Sequence, residues 1–162
     1  MFSICWHGKR GMVWSELLSE LGSMSYSHHL PNILIIHLGG NDIGKQNTLN
    51  LIFQIKHVIR FIKAMYPDSV IVFSEIIPRL KWLKSEVFRP FEKIRKRINR
   101  MVEKFMSLGY GFSCRHWELE GGFPGLYRDD GIHLSDIGLD ILNNDLQTCV
   151  EQAAVWGSQG GF

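Results

Sequence analysis

The run Asn32-Ile33-Leu34-Ile35-Ile36-His37-Leu38 stops abruptly at Gly39-Gly40-Asn41-Asp42. A strand covered on one face alternates apolar and polar residues. An unbroken apolar run needs cover on both faces, as in a parallel sheet between helical layers. Two glycines and two short polar side chains then form a turn at the carboxyl end of the strand, where open parallel sheets bind ligands. On such a turn the Asn41 side chain offers an N–H pair that can meet a developing oxyanion, although an ordinary Asx turn would use the same residue.

The pattern repeats along the chain. Val70-Ile71-Val72-Phe73-Ser74-Glu75 reads as a second buried strand, and Gly111-Phe112-Ser113-Cys114-Arg115-His116-Trp117 as the last. Residues 2–6 form a shorter apolar run, read as a first strand before the His7-Gly8-Lys9-Arg10-Gly11 turn. Between these runs the apolar period is helical. Val13, Leu17, Leu18 and Leu21 share one stripe, with Gly22 as a stop; Leu51, Ile55, Val58, Ile62 and Met65 share another, capped by Asn47 or Thr48. Pro90 suits a first helical turn, after which Ile94, Ile98, Met101, Val102 and Phe105 face inward and Arg95, Lys96, Arg97 and Arg100 outward. Ile137, Ile141, Leu142, Leu146 and Val150 close the domain, which spans residues 1–155, and residues 156–162 read as a loose glycine-rich tail. Strands alternating with helices imply right-handed crossovers and a three-layer α/β/α sandwich with a parallel sheet.

With 45% hydrophobic residues the chain can fill one core, and 18 basic against 16 acidic residues are too evenly matched to demand a nucleic-acid partner. The Arg95 to Arg100 face keeps nucleic acid as a weaker alternative, diluted by Glu92 and Glu103. Cys5, Cys114 and Cys149 are odd in number and share no short spacing, which favours reduced thiols and an intracellular, cytoplasmic location over a disulfide framework. No apolar run reaches a membrane span, and the scattered histidines suggest neither a metal site nor a cofactor. A metal held by Asp129, Asp130 and His133 would need ligands that this loop does not supply.

Asp129-Asp130-Gly131-Ile132-His133-Leu134-Ser135-Asp136 precedes the closing helix. A carboxylate three residues before an imidazole can hold one ring nitrogen and leave the other as a base, so Asp130 and His133 are a candidate acid and base. Ser135 also suits an N-cap, with Asp136 on the positive end of the helix dipole.

Taken together, the Gly11 turn, Gly39-Gly40-Asn41-Asp42 and Asp130-Gly131-Ile132-His133 resemble the SGNH (GDSL-type) hydrolases, over most of the chain from His7 to the closing helix. The run Lys9-Arg10-Gly11-Met12-Val13-Trp14-Ser15 is also similar, more loosely, to SGNH-type domains of some vertebrate and transposon-associated open reading frames. The resemblance implies a flavodoxin-like fold and acyl-ester hydrolysis. Gly11 and Asn41 would form the oxyanion hole, His133 would be the base and Asp130 its orienting acid. The family's serine stands in a Gly-Asp-Ser turn, and no Gly-Asp-Ser occurs here. Ser3 lies only eight positions before Gly11, and Ser15 and Ser19 fall in the following helix, so the nucleophile has no match. The expectation is a chain beginning at the family's second strand. It would lack the central first strand, have little esterase activity alone and present strand edges open to self-association. A small-molecule ester would be the ligand of the completed site. A non-catalytic module binding protein or nucleic acid is the alternative.

Overall fold

The computed structural model describes residues 3–24, 30–82 and 88–158. Three strands, β1 (Ile33–His37), β2 (Val70–Ser74) and β3 (Gly111–Cys114), form one parallel sheet in the order β1-β2-β3. The register pairs Ile33 with Val70 and Ile71 with Gly111. Helices α1 (Leu17–Met24), α2 (Thr48–Met65), α3 (Phe88–Met106) and α4 (Asp136–Ser158) complete the alternation. Because successive strand side chains point to opposite faces, the sheet divides its apolar residues between two cores. Ile36, Ile71 and Phe73 pack with α1, α2 and α3, whereas Val72 and Cys114 pack with Leu142, Leu146 and Ala153 of α4. Two helical layers around one parallel sheet make a three-layer α/β/α fold.

Helix α2 follows the expected stripe, with Leu51, Ile55, Val58 and Ile62 buried and only Met65 at the margin. The Asn47 side chain accepts the Leu49 N–H at 2.8 Å and starts this helix. Helix α1 begins after a 3-10 turn (Trp14–Glu16) and runs past Gly22 to Met24.

Several expectations fail for identifiable reasons. Residues 3–6 form no strand; Ile4 and Trp6 are exposed, and among the described residues no neighbouring ladder satisfies their backbone. Arg95 points inward and is fully buried, because Glu92 and Glu120 supply it with two carboxylates. Ile137 is exposed in the first turn of α4, and this helix carries Trp156 against Phe112, beyond the expected end of the folded domain. Cys114 on β3 and Cys149 on α4 form a disulfide with Cα atoms 6.1 Å apart. Their 35-residue separation concealed that both side chains point into one core. With this pair oxidised, the redox case for an intracellular location falls. Cys5 is free and exposed.

Candidate functional site

Both conspicuous turns follow the carboxyl end of β1 or face it. Gly11 adopts φ +72° and Gly39 φ +120°, left-handed conformations that favour glycine. The second turn grips the first. Asn41 Nδ2 donates to the Met12 carbonyl at 3.1 Å, and the buried Asp42 carboxylate accepts the Trp14 N–H at 3.2 and 3.3 Å. Burial pushes the Asp42 pKa up to about 6, against the pull of that N–H. On the outer side Lys9 pairs with Glu16 at 3.0 Å and Glu20 at 2.7 Å, tying the Gly11 turn to α1.

The third segment lies in the connection before α4. Asp130 Oδ2 is 2.6 Å from His133 Nδ1, while Oδ1 accepts the N–H groups of Ile132 at 2.8 Å and His133 at 2.9 Å. The bond to His133 and those two backbone donors hold the Asp130 carboxyl well below the usual carboxylate range. A carboxylate can only accept, so Nδ1 of His133 carries the hydrogen and Nε2 presents a lone pair. The His133 side chain is 59% exposed and Asp130 44%, so the dyad stands open to a ligand. Ser135 Oγ accepts the Gly138 N–H at 3.2 Å and Leu139 N–H bonds the Ser135 carbonyl, so Ser135 caps α4 while the dyad sits just ahead of it. Among the described residues, no serine hydroxyl hydrogen-bonds His133.

The sequence marks residues 76–84 as a loop carrying Pro78, Arg79 and Trp82 that would shape the pocket, but not that it joins these parts. Residues 76–82, after β2, run between the two turns. Arg79 Nη2 donates to Asn41 Oδ1 at 3.0 Å, and the N–H groups of Leu80 and Lys81 donate to the Gly131 carbonyl at 2.8 and 3.0 Å. Asn41 is thus held at both ends of its amide, with one N–H of Nδ2 left over. The segment is itself anchored from α3. Asn99 exchanges two hydrogen bonds with Ile76, both at 3.0 Å, and Arg95 Nη1 donates to the Ile76 carbonyl at 2.7 Å. Arg95, expected on the outer face, and the buried Asn99 therefore fix the strap carrying Arg79. The only hint in the sequence was an arginine between Pro78 and Trp82, and its guanidinium lies 5.3 Å from the Trp82 ring centroid.

Among the described residues no three His, Cys, Asp or Glu side chains gather as a metal site, and no helix is long and apolar enough to cross a membrane. No family model and no curated protein matches the sequence. Solved structures do match. A GDSL-like lipase from Bacteroides thetaiotaomicron, 17% identical, aligns over 88% of this chain and 73% of its own with a TM-score of 0.69. A Streptococcus pneumonia protein provisionally named a platelet activating factor, 21% identical, covers 86% and 68% with a TM-score of 0.71. The esterase domain of the ORF1 protein of the zebrafish ZfL2-1 retrotransposon, 20% identical, covers 87% and 84% with a TM-score of 0.55. The three-layer fold is therefore that of the SGNH, or GDSL-type, hydrolases. At these identities the likeness defines the fold, and the chemistry has to come from the site.

Proposed function

We propose that this chain carries the acid–base and oxyanion parts of an ester-hydrolysing SGNH site, without the Gly-Asp-Ser nucleophile of that family in its sequence. The observation that carries the reading is the 2.6 Å contact between Asp130 and His133, which leaves Nε2 of an exposed imidazole as a base. The fold shared with GDSL-like lipases and an esterase domain supports it. Gly11, in its left-handed turn, and Asn41 are the oxyanion donors, and Arg79 fixes the orientation of the Asn41 amide. With a serine in reach, His133 would take its proton as the oxygen attacks the ester carbonyl. It would return that proton to the departing alkoxide, while Asp130 stabilises the imidazolium. Without one, His133 can only activate water against a reactive ester.

The test combines two readings on the 162-residue chain. Slow hydrolysis of p-nitrophenyl acetate should fall in His133→Ala towards the buffer rate, within the 10²–10⁴ range of general-base contributions. A fluorophosphonate probe should label no serine, as read by mass spectrometry. An unchanged rate in His133→Ala would sink the base assignment; a labelled serine would sink the missing nucleophile.

The alternative, a binding module, rests on Lys96, Arg97 and Arg100, which remain exposed on α3 after Arg95 is withdrawn into the core. It requires salt-dependent binding of RNA or DNA that weakens on charge reversal at Arg97 and Arg100.

A further inference from the structure

His37, the last residue of β1, is paired in register with Ser74, the last residue of β2. Alternation puts the His37 side chain on the same face as Ile33 and Ile35, the face covered by α4. There four side chains from four segments form an unbroken chain. His37 Nδ1 lies 2.7 Å from Ser74 Oγ, Ser74 Oγ lies 2.8 Å from His116 Nε2, and His116 Nδ1 lies 2.9 Å from Asp145 Oδ2. Ser74 is 0% and His116 2% exposed, whereas His37, at the outer end, is exposed. Ser74 Oγ bridges the two imidazoles, whose ring centroids are 6.1 Å apart.

Hydrogen-bond valence orients the chain. The Asp145 carboxylate can only accept, so His116 carries its hydrogen on Nδ1 and, when neutral, accepts the Ser74 O–H at Nε2. A lone pair of Ser74 Oγ then faces His37 Nδ1, which must carry a hydrogen. His37 is left with a lone pair on Nε2. Burial holds the His116 pKa down against the pull of Asp145, which keeps this imidazole neutral at rest. Although the residue as a whole is exposed, desolvation of its imidazole, then His116 and the Arg79 guanidinium, push His37 down to about 4, so it too is neutral.

We propose that Asp145, His116 and Ser74 form a proton relay whose outer terminus, His37 Nε2, is a second acid–base centre for water or a hydroxyl-bearing ligand. The steps balance. As Nε2 takes a proton from the ligand, the Nδ1 proton of His37 passes to Ser74 Oγ and the hydroxyl proton of Ser74 passes to His116 Nε2. His37 and Ser74 end neutral, and the charge settles on a His116 imidazolium beside the Asp145 carboxylate. Ser74 is no nucleophile here, because its complete burial denies it to any substrate. No residue is shared with the Asp130–His133 dyad, so either can fail without the other.

The experiment determines imidazole tautomers by long-range ¹⁵N–¹H correlation on the full chain at neutral pH, and maps the carbethoxylation of His37 by diethyl pyrocarbonate through peptide mass. His37 should be the Nδ1–H tautomer. Ser74→Ala, and Asp145→Asn three hydrogen bonds away, should both move His37 towards the Nε2–H tautomer that free imidazole prefers. Its carbethoxylation should slow several-fold, with no change in His133→Ala. An Nε2–H tautomer of His37 in the wild type overturns the relay. So does a His37 that ignores both substitutions while His116 responds. Should Asp145→Asn fail to fold, Ser74→Ala, which removes a single hydroxyl, decides alone.

Discussion

Gly39 and Gly40 stand side by side in one turn, yet substitution should affect them through different physics. A Cβ on Gly39 would meet Ile76 Cδ1 at 2.6 Å, and its φ of +120° strains any L side chain. Gly39→Ala should therefore lower stability by about 2 kcal/mol or more, measured by urea unfolding. A Cβ on Gly40 would meet Arg79 Nη2 at 2.5 Å, the far end of a flexible side chain. Gly40→Ala should keep nearly all stability while displacing Arg79 from Asn41, seen as a shifted Asn41 side-chain amide resonance. Equal losses at the two positions would contradict this division. Sequence alone identified the turn, because two glycines after an apolar run have few other uses. Arg79 stayed hidden, since its partner Asn41 lies 38 residues earlier and no local pattern couples them.

At the scale of elements, the links between layers decide what periodicity could reveal. Helix α2 was legible because its stripe is purely apolar, whereas α3 misled because a buried arginine resembles an exposed one in sequence. Two carboxylates, from Glu92 on α3 and from Glu120 after β3, neutralise Arg95. Arg95→Met should cost about 1–3 kcal/mol, the usual penalty for polar groups left without a partner, because Glu92 and Glu120 are only partly buried. A loss below 1 kcal/mol in chemical denaturation would mean that the network is dispensable. The Cys114–Cys149 disulfide joins the sheet to α4 and closes a 35-residue separation, for which chain entropy gives about 4 kcal/mol. Reduction should lower the urea midpoint accordingly, and Cys5→Ser should not. A midpoint unaffected by reductant would show that the bridge adds no stability. Neither link has a sequence signal, because each depends on which faces the folded layers bring together.

For the molecule as a whole, stability is set against pH by desolvated groups of opposing sign. Glu75 is buried just beyond β2, and burial pushes its pKa up to about 7 despite the nearby Arg115. Its folded pKa exceeds its unfolded one, so the native state binds the extra proton between about 4.5 and 7 and stability falls as pH rises through that window. His37 and His116, whose folded pKa values are lowered, act in the opposite direction, since protonation below the ordinary imidazole range favours the unfolded chain. The wild-type profile therefore mixes cancelling slopes. Comparing it with Glu75→Gln removes the shared contributions and isolates one group. Below pH 4.5 both proteins bury a neutral side chain of the same shape, and their urea midpoints should agree. From there to pH 7 the variant should gain steadily, by about 1–3 kcal/mol once a shift of this size is discounted for partial screening, and then stay level. A constant offset at all pH values would assign the effect to packing. A variant that loses ground as pH rises would show that Glu75 is stabilised in its charged form by Arg115, reversing the sign assigned to its burial.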